Sequence, residues 1–551
     1  MENSANGYAG IGWVRSLGYP TAAVPIKGRL DEWWGWYRAE GDFYAYAETD
    51  PNGTTFKVER ISFNPAKMVC EDWAGILFNY RTSLGLEGVT DLDDGEEPEE
   101  GLQAACDWMA QWAKDVRLFA DASSWERAFG LGTEGFALGL DGLREDGGAD
   151  AGTRVTLHRY DAASTVPLSW TSEGCTEAAF CAAIMHKGRP YTQWTAYTLD
   201  EEGRCVIRTA HFKGNGQRVE LDGFASEVRT GIDGPLFVLA SPEIDNTYRD
   251  CGPFGVSVFD GALGALKLAD GSFDNTWRDV FLGQKLLFLP EEMLQAAPDG
   301  TVVVPRARDQ QLFMALPGES VGGEPRKPYE YNPNLRVEDN RKAIDTALAL
   351  LGKRCGFGMR YYSLDEAGNP KTAKEVGADN AELMRNAKKH EQAMGAQVSR
   401  LAEKAVALAN RFCAAGLPDV SGKACVLFGD TIIQDEDTER ERMRADVAAG
   451  LVPAWKYTQT YYGVSAETAK EWTGEGASGG AIDQGAVQEI AGKTLNGAQT
   501  QALLGVIAQY QRGELTEGQA VNVIATAIGV TKEEAAKLLH GDVTEAMPEP
   551  A

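Results

Sequence analysis

The residue types that most often do chemistry are present in this chain of 551 residues, but their spacing builds no familiar constellation. Gly492-Lys-Thr494 ends like a phosphate-binding loop. Such a loop needs an earlier glycine, a backbone-amide cradle, and a strand before it. Val487 stands where that glycine belongs, and the stretch lies at a linker–helix border, so no nucleotide site is expected. The five histidines, His158, His186, His211, His390 and His540, share no metal-ligand spacing. His158 and His211 fall on expected strands, where an imidazole held by its neighbours is the ordinary reading. Nine cysteines (Cys70, Cys106, Cys175, Cys181, Cys205, Cys251, Cys355, Cys413 and Cys425) include no Cys-x-x-Cys pair. An odd, scattered set reads as buried free thiols, not as a disulfide framework or a metal centre.

Carboxylates are abundant but uninformative. The 81 Asp and Glu offer too many pairs for counting to select one for glycoside chemistry. The acidic run Asp91–Glu100 lacks the spaced ligands and turn glycine of a calcium loop and reads as a solvated face. No Gly-x-Ser-x-Gly elbow occurs. The chain is therefore expected to carry no catalytic residue, no metal ligand and no cofactor.

The elements that would position any site are of two textures. Helical periodicity marks Pro65–Leu84, with Met68, Trp73, Ile76, Leu77 and Tyr80 on one stripe, and Leu102–Phe119, with Trp108, Trp112, Val116 and Phe119. From about residue 125 to 245, short alternating runs separated by Gly, Asp and Asn turns predict an antiparallel sheet. A long helical pattern follows: Phe259, Leu263, Leu266, Phe273, Trp277, Val280, Phe281. Next comes a small strand-rich piece (Lys285–Leu289 and Thr301–Val304), then a helix from Val337 to Gly352 with Ile344, Leu348 and Leu351 as its stripe. The stretch Gly356–Pro370 predicts a flexible loop. A strong helix runs from Thr372 to Ala415, and a strand covers Ala424–Phe428. A charged helix opens at Asp435 and a short one covers Thr468–Trp472. Gly474–Gly480 is a linker, and Leu495–His540 an amphipathic helical module.

The fold class expected is α+β, helix-rich, in two to four lobes, since 551 residues exceed one ordinary core. The formal charge is −28. That excludes a free nucleic-acid grip through a basic surface, which must displace phosphate counterions. The N-terminus shows no signal-peptide pattern, and no apolar run is long enough to span a bilayer. A soluble protein without a membrane partner is expected.

Read in order, several segments resemble the portal proteins of tailed bacteriophages, in particular siphophages. They are Val69–Asn79, then Gly255-Val-Ser-Val-Phe259 with Leu263–Lys267, Asp274 and Leu282–Phe288, then Asn334–Asn340. Gly356-Phe-Gly358 with Lys371–Val376 follows, and finally Gly429–Asp435 with Val447–Leu451. The similarity spans roughly residues 60–475, and it rests on order and spacing. Lys374 departs from the small or polar residue the family pattern leads one to expect.

The resemblance implies a portal fold: a wing over 1–250, first stem helix over 251–283, clip over 284–334 and second stem helix over 335–356. A tunnel loop over 357–373 is then followed by a long helix and wing return strand over 374–430, a crown over 431–473, a linker over 474–494 and a C-terminal helical appendix with its tail over 495–551. It implies a homo-oligomeric ring, dodecameric in the virion, at one capsid vertex. Double-stranded DNA passes through the ring without sequence-specific contact. The implied partners are the terminase large subunit, a head-completion adaptor, and the major capsid and scaffold proteins. The implied location is the virion, with the host cytoplasm during assembly. DNA-channel candidates are Asn369, Lys371, Thr372 and Lys374. From Lys353 to Arg411 there are eleven Lys/Arg against seven Asp/Glu, the least acidic long helical stretch; an ordinary mixed-charge surface helix explains this equally well. An acidic wall elsewhere would keep DNA moving. The segment Asp435–Arg444 suits either a crown helix with Glu–Arg pairs or a plain solvated helix. The second reading of the whole is another virion component, a minor head or baseplate protein; the third is an enzyme of unrecognised type.

Overall fold

The computed structural model describes residues 9–19, 26–92, 98–144, 147–150, 152–248, 252–283, 285–290, 313–316, 327–364, 373–429, 436–462 and 466–473. These form two units, Met1–Gln434 and Asp435–Ala551. The architecture is mixed α+β.

In the first unit the N-terminal elements are α1 (Ile11–Ser16), α2 (Lys27–Tyr37), the ribbon β1 (Ala45–Thr49) and β2 (Thr55–Glu59), and α3 (Pro65–Leu77). A proline opens α3, where a missing N–H leaves no bond unmade. Its buried face is Ala66, Val69, Cys70, Trp73, Ala74 and Leu77. The expected stripe stops there: Tyr80 lies on the turn beyond and is 86% exposed. Next come β3 (Ser83–Leu86), α4 (Leu102–Asp115) and α5 (Ala122–Gly130). Phe78 stacks on Trp125 with ring centroids 3.6 Å apart, near the middle of one large core.

The strand-rich stretch forms two antiparallel sheets, not one. Its strands are β4 (Glu134–Asp141), β5 (Arg154–Asp161), β6 (Thr165–Thr171), β7 (Gly174–His186), β8 (Arg189–Leu199), β9 (Arg204–Phe212), β10 (Arg218–Val219), β11 (Glu227–Asp233) and β12 (Phe237–Ala240). One sheet has the order β12-β4-β5. The other runs β10-β9-β8-β7-β6, with β11 also on β9. Phe180, Tyr197 and Phe237 meet edge-on between them. On the opposite face of the larger sheet α1 covers a second, smaller core of Val166, Ala179, Cys181, Trp194, Ala196, Ala210 and Phe212.

The remaining elements are α6 (Leu263–Leu282), β13 (Leu286–Pro290), β14 (Phe313–Leu316), β15 (Tyr329–Tyr331), α7 (Val337–Arg354), α8 (Ala373–Phe412) and β16 (Ala424–Leu427). The expected strand at Thr301–Val304 lies outside the described residues. β16 pairs antiparallel with β3, so the chain returns to its N-terminal lobe. The first part of the expected flexible loop is packed: Phe357 is buried, and the Tyr362 hydroxyl donates to Asp72 at 2.7 Å.

The second unit contains α9 (Glu436–Ala448), α10 (Ala454–Tyr462) and α11 (Ala466–Thr473). α10 has no counterpart in the sequence reading. Arg440 and Arg444 both donate to the Tyr457 hydroxyl, at 3.1 and 2.7 Å. These two arginines of the charged helix therefore bind a neighbouring helix as well as whatever they meet along their own. Among the described residues no helix is long and apolar enough to cross a membrane.

Candidate assembly site on the helical hairpin

Helices α6 and α7 pack side by side and run in opposite directions. The contacts that fix this lie at both ends. Asp279, late in α6, accepts from Arg336 at 2.8 Å and Asn340 at 3.0 Å, both at the start of α7. Arg354, the last residue of α7, donates to the Gly261 carbonyl just before α6. Arg336 holds the Asp279 carboxyl below its usual range. Between the helices the chain forms a three-stranded sheet, β14-β13-β15. In it β13 pairs parallel with β14 and antiparallel with β15.

The base of the hairpin is locked into the unit. Leu266 and Ala269 of α6, and Ala347, Leu348 and Leu351 of α7, are buried. Three carboxylates add polar anchors. Asp260 accepts from the Trp33 indole at 2.8 Å and from Tyr248, Asp270 accepts from Tyr44 and Ser62, and Asp274 accepts from the Ile61 amide. A buried carboxylate costs several kcal/mol unless it is satisfied in this way. Beyond α7, Trp73 donates to the Cys355 carbonyl and Asn386 to the Gly356 carbonyl, which pins the turn into α8.

The far end is different. Trp277, Val280 and Phe281 share one face of α6 and are 53%, 47% and 53% exposed, although the sequence pattern reads them as a continuation of the buried stripe. Trp277 and Phe281 stack at 6.1 Å. Leu335, Val337, Tyr329 and Tyr331 are exposed as well, at the start of α7 and on β15. Clustered large apolar groups in water mark an interaction surface. The apolar face continues along α6 past the point where the helix still has a core to meet.

The DNA-channel candidates are less visible. Asn369, Lys371 and Thr372 lie outside the described residues. Lys374 is in the first turn of α8, where only the backbone is described. Several cations of the less acidic stretch are occupied: Lys353 pairs with Glu382, Lys388 with Glu391, and Lys404 donates to the Asp233 carbonyl.

Among the described residues, neither the histidines nor the cysteines form a centre. His390 is buried on α8 and accepts at Nδ1 from the Glu243 amide at 3.0 Å, edge-on to Trp73 and Phe129. Burial and nearby Lys389 lower its pKa to about 4. His211 bonds Gln193. His158 has only a 3.5 Å approach to Thr156. His540 and Cys251 lie outside the described residues, and the other eight cysteines are free thiols. Among the described residues no group of three His, Cys, Asp or Glu could hold a metal ion.

No family model matches the chain, and no curated protein matches it.

Proposed function

We propose that the chain is the subunit of a closed ring of the portal type, a non-enzymatic conduit for double-stranded DNA at one vertex of a tailed-phage capsid. The observation that carries this reading is the α6–α7 hairpin. It has a buried base and a small β insert at its far end, and an apolar face of Trp277, Val280 and Phe281 open to water. In the portal terms of the sequence reading the two helices are the stem and β13–β15 the clip, which would meet terminase and later an adaptor. The surrounding lobe is the wing, toward capsid and scaffold proteins, and the second unit holds the crown.

A heterologous interface that closes on itself gives a ring. Covering three half-exposed apolar side chains contributes about 1 kcal/mol or more for each at every interface. One expectation changes. The helices α6 and α7 together carry six Lys/Arg and six Asp/Glu, so a stem wall built from them is near neutral, and any acidic lining must come from other segments.

Electron micrographs and native mass spectra of the purified full chain test the reading. Hollow rings are expected, a dodecamer being the virion form. Trp277→Ser with Phe281→Ser should give folded monomers. Solid or irregular particles from the unaltered chain would sink the proposal. In assembled rings, Lys371→Ala with Lys374→Ala should change packaging yield and leave the ring intact.

A further inference from the structure

Strand β12 is an edge of the sheet β12-β4-β5, and its register shows which way its backbone points. The Leu138 amide donates to the Leu236 carbonyl, and Val238 and Ala240 lie opposite Phe136 and Glu134. Bonded positions alternate along an antiparallel pair. Leu236, Val238 and Ala240 therefore bond β4, while the amides and carbonyls of Phe237 and Leu239 point away from it. Among the described residues, no hydrogen bond reaches those four groups. At the next position of this edge the Ser241 amide donates to the Gln397 side chain of α8 at 3.1 Å.

Phe237, Val238 and Leu239 line a groove of about 950 Å³. One wall is the β6–β7 turn, with Thr171, Gly174 and Thr176. The other is α8, where Gln397, Arg400, Leu401 and Lys404 form one stripe at spacings of three and four. Phe237 turns its ring to the larger sheet, against Phe180 and Tyr197, while α8 packs on β12 from the other side. A strand laid along β12 would alternate its side chains between the same two walls. The α8 wall is positive. Among the described residues neither Arg400 nor Lys404 has a carboxylate partner; Lys404 donates to the Asp233 carbonyl. The neighbouring Glu403 is engaged by the Gly422 and Ala424 amides.

We propose that this groove takes an extended segment of a partner protein, added as a strand along β12, with aliphatic side chains toward the β6–β7 turn and carboxylates toward α8. Phe237 and Leu239 offer it two donors and two acceptors. Main-chain bonds of this kind supply affinity, and the alternate side chains supply selectivity. Arg400 and Lys404 favour a carboxylate and oppose an ammonium group. A helical partner spends its own amides and carbonyls internally and leaves those of β12 unmet. The inference concerns the body of the first unit and stands apart from ring formation.

Fluorescence anisotropy of labelled peptides with the full chain tests it. The parent probe is Val-Glu-Val-Glu-Val-Glu-Val, capped at both ends. It is compared with the same peptide carrying Lys for Glu, and with two versions N-methylated at every Val or at every Glu. The parent should bind, and the Lys peptide about tenfold more weakly or worse. Only one methylated peptide should lose about tenfold or more, the one whose amides face β12; the other has its methyl groups on the far edge. No binding by the parent, equal affinity of the Glu and Lys peptides, or equal behaviour of the two methylated peptides would overturn the proposal. These comparisons need no variant to fold. Leu239→Pro removes an outward donor and no bond to β4, so it should abolish binding while thermal unfolding stays near the parent's. Arg400→Glu with Lys404→Glu should reverse the preference toward the Lys peptide.

Discussion

The Tyr44 hydroxyl donates to the Asp270 carboxylate across 2.6 Å and so ties the N-terminal lobe to the hairpin helix. Both side chains are buried. Burial pushes the Asp270 carboxyl above its usual range, while Tyr44 and Ser62 pull it back. Tyr44→Phe keeps the ring and removes one of these donors. A hydrogen bond to a charged group contributes about 1.5–3 kcal/mol, so the urea midpoint of the variant should fall by a corresponding amount. An unchanged midpoint would show that this hydrogen bond adds nothing to the joint between the two lobes.

His390 sets a pH dependence. Its folded pKa of about 4 lies below the ordinary 6.5, because burial disfavours the charged ring. The unfolded chain therefore takes up this proton first. The contribution is full above pH 6.5, is lost progressively as pH falls toward 4, and changes no further below that. It amounts to about 3 kcal/mol. His390→Gln, which keeps an acceptor for the Glu243 amide, should be less sensitive than the parent across that window in urea titrations at several pH values.

Gly132 has φ +74°, and a β-carbon there would lie 2.6 Å from the backbone of Val256. This crossing brings the β4 lobe against the approach to α6. Gly132→Ala meets both a left-handed backbone and a backbone clash that no rotamer relieves. It should cost several kcal/mol or prevent soluble expression. Gly152→Ala, with open space around the added carbon and no positive φ, is the control and should be nearly neutral.

Trp73 anchors the turn after α7 through its indole bond to the Cys355 carbonyl at 2.9 Å and its contact with Phe357. Trp73→Phe retains an aromatic ring but not the donor. Hydrogen exchange should then accelerate at amides 355–364 while the strands of the larger sheet keep their protection. Uniform acceleration throughout the first unit would mean that Trp73 supports the whole core instead.

Much of the helical layout is legible because stripes of Leu, Ile and Ala at helical spacing outlast local ambiguity, as in α7 and α8. Boundaries are less so. Tyr80 continues the spacing of α3, but the chain turns at Phe78. Trp277, Val280 and Phe281 continue that of α6, but the helix has left its core. Periodicity records which face is apolar and not what covers it. The pairing of β12 with β4, and of β16 with β3, joins residues far apart in the chain, which alternation cannot foresee. Phe237 and Leu239 are visible as apolar residues of a short run; only strand register shows that their backbone groups point away from β4. The loop carrying Asn369, Lys371 and Thr372 is placed by resemblance alone.

The antiparallel hairpin also has a mechanical consequence. A helix of 20 residues is about 30 Å long. Tilting it by about 5° at its buried base therefore swings its far end by about 3 Å. Rotations small enough for Tyr44 to keep hold of Asp270 become displacements about as large as a hydrogen-bond length where β13 begins. The hairpin is geared, so a load felt at the small sheet returns to the body of the unit as a much smaller twist.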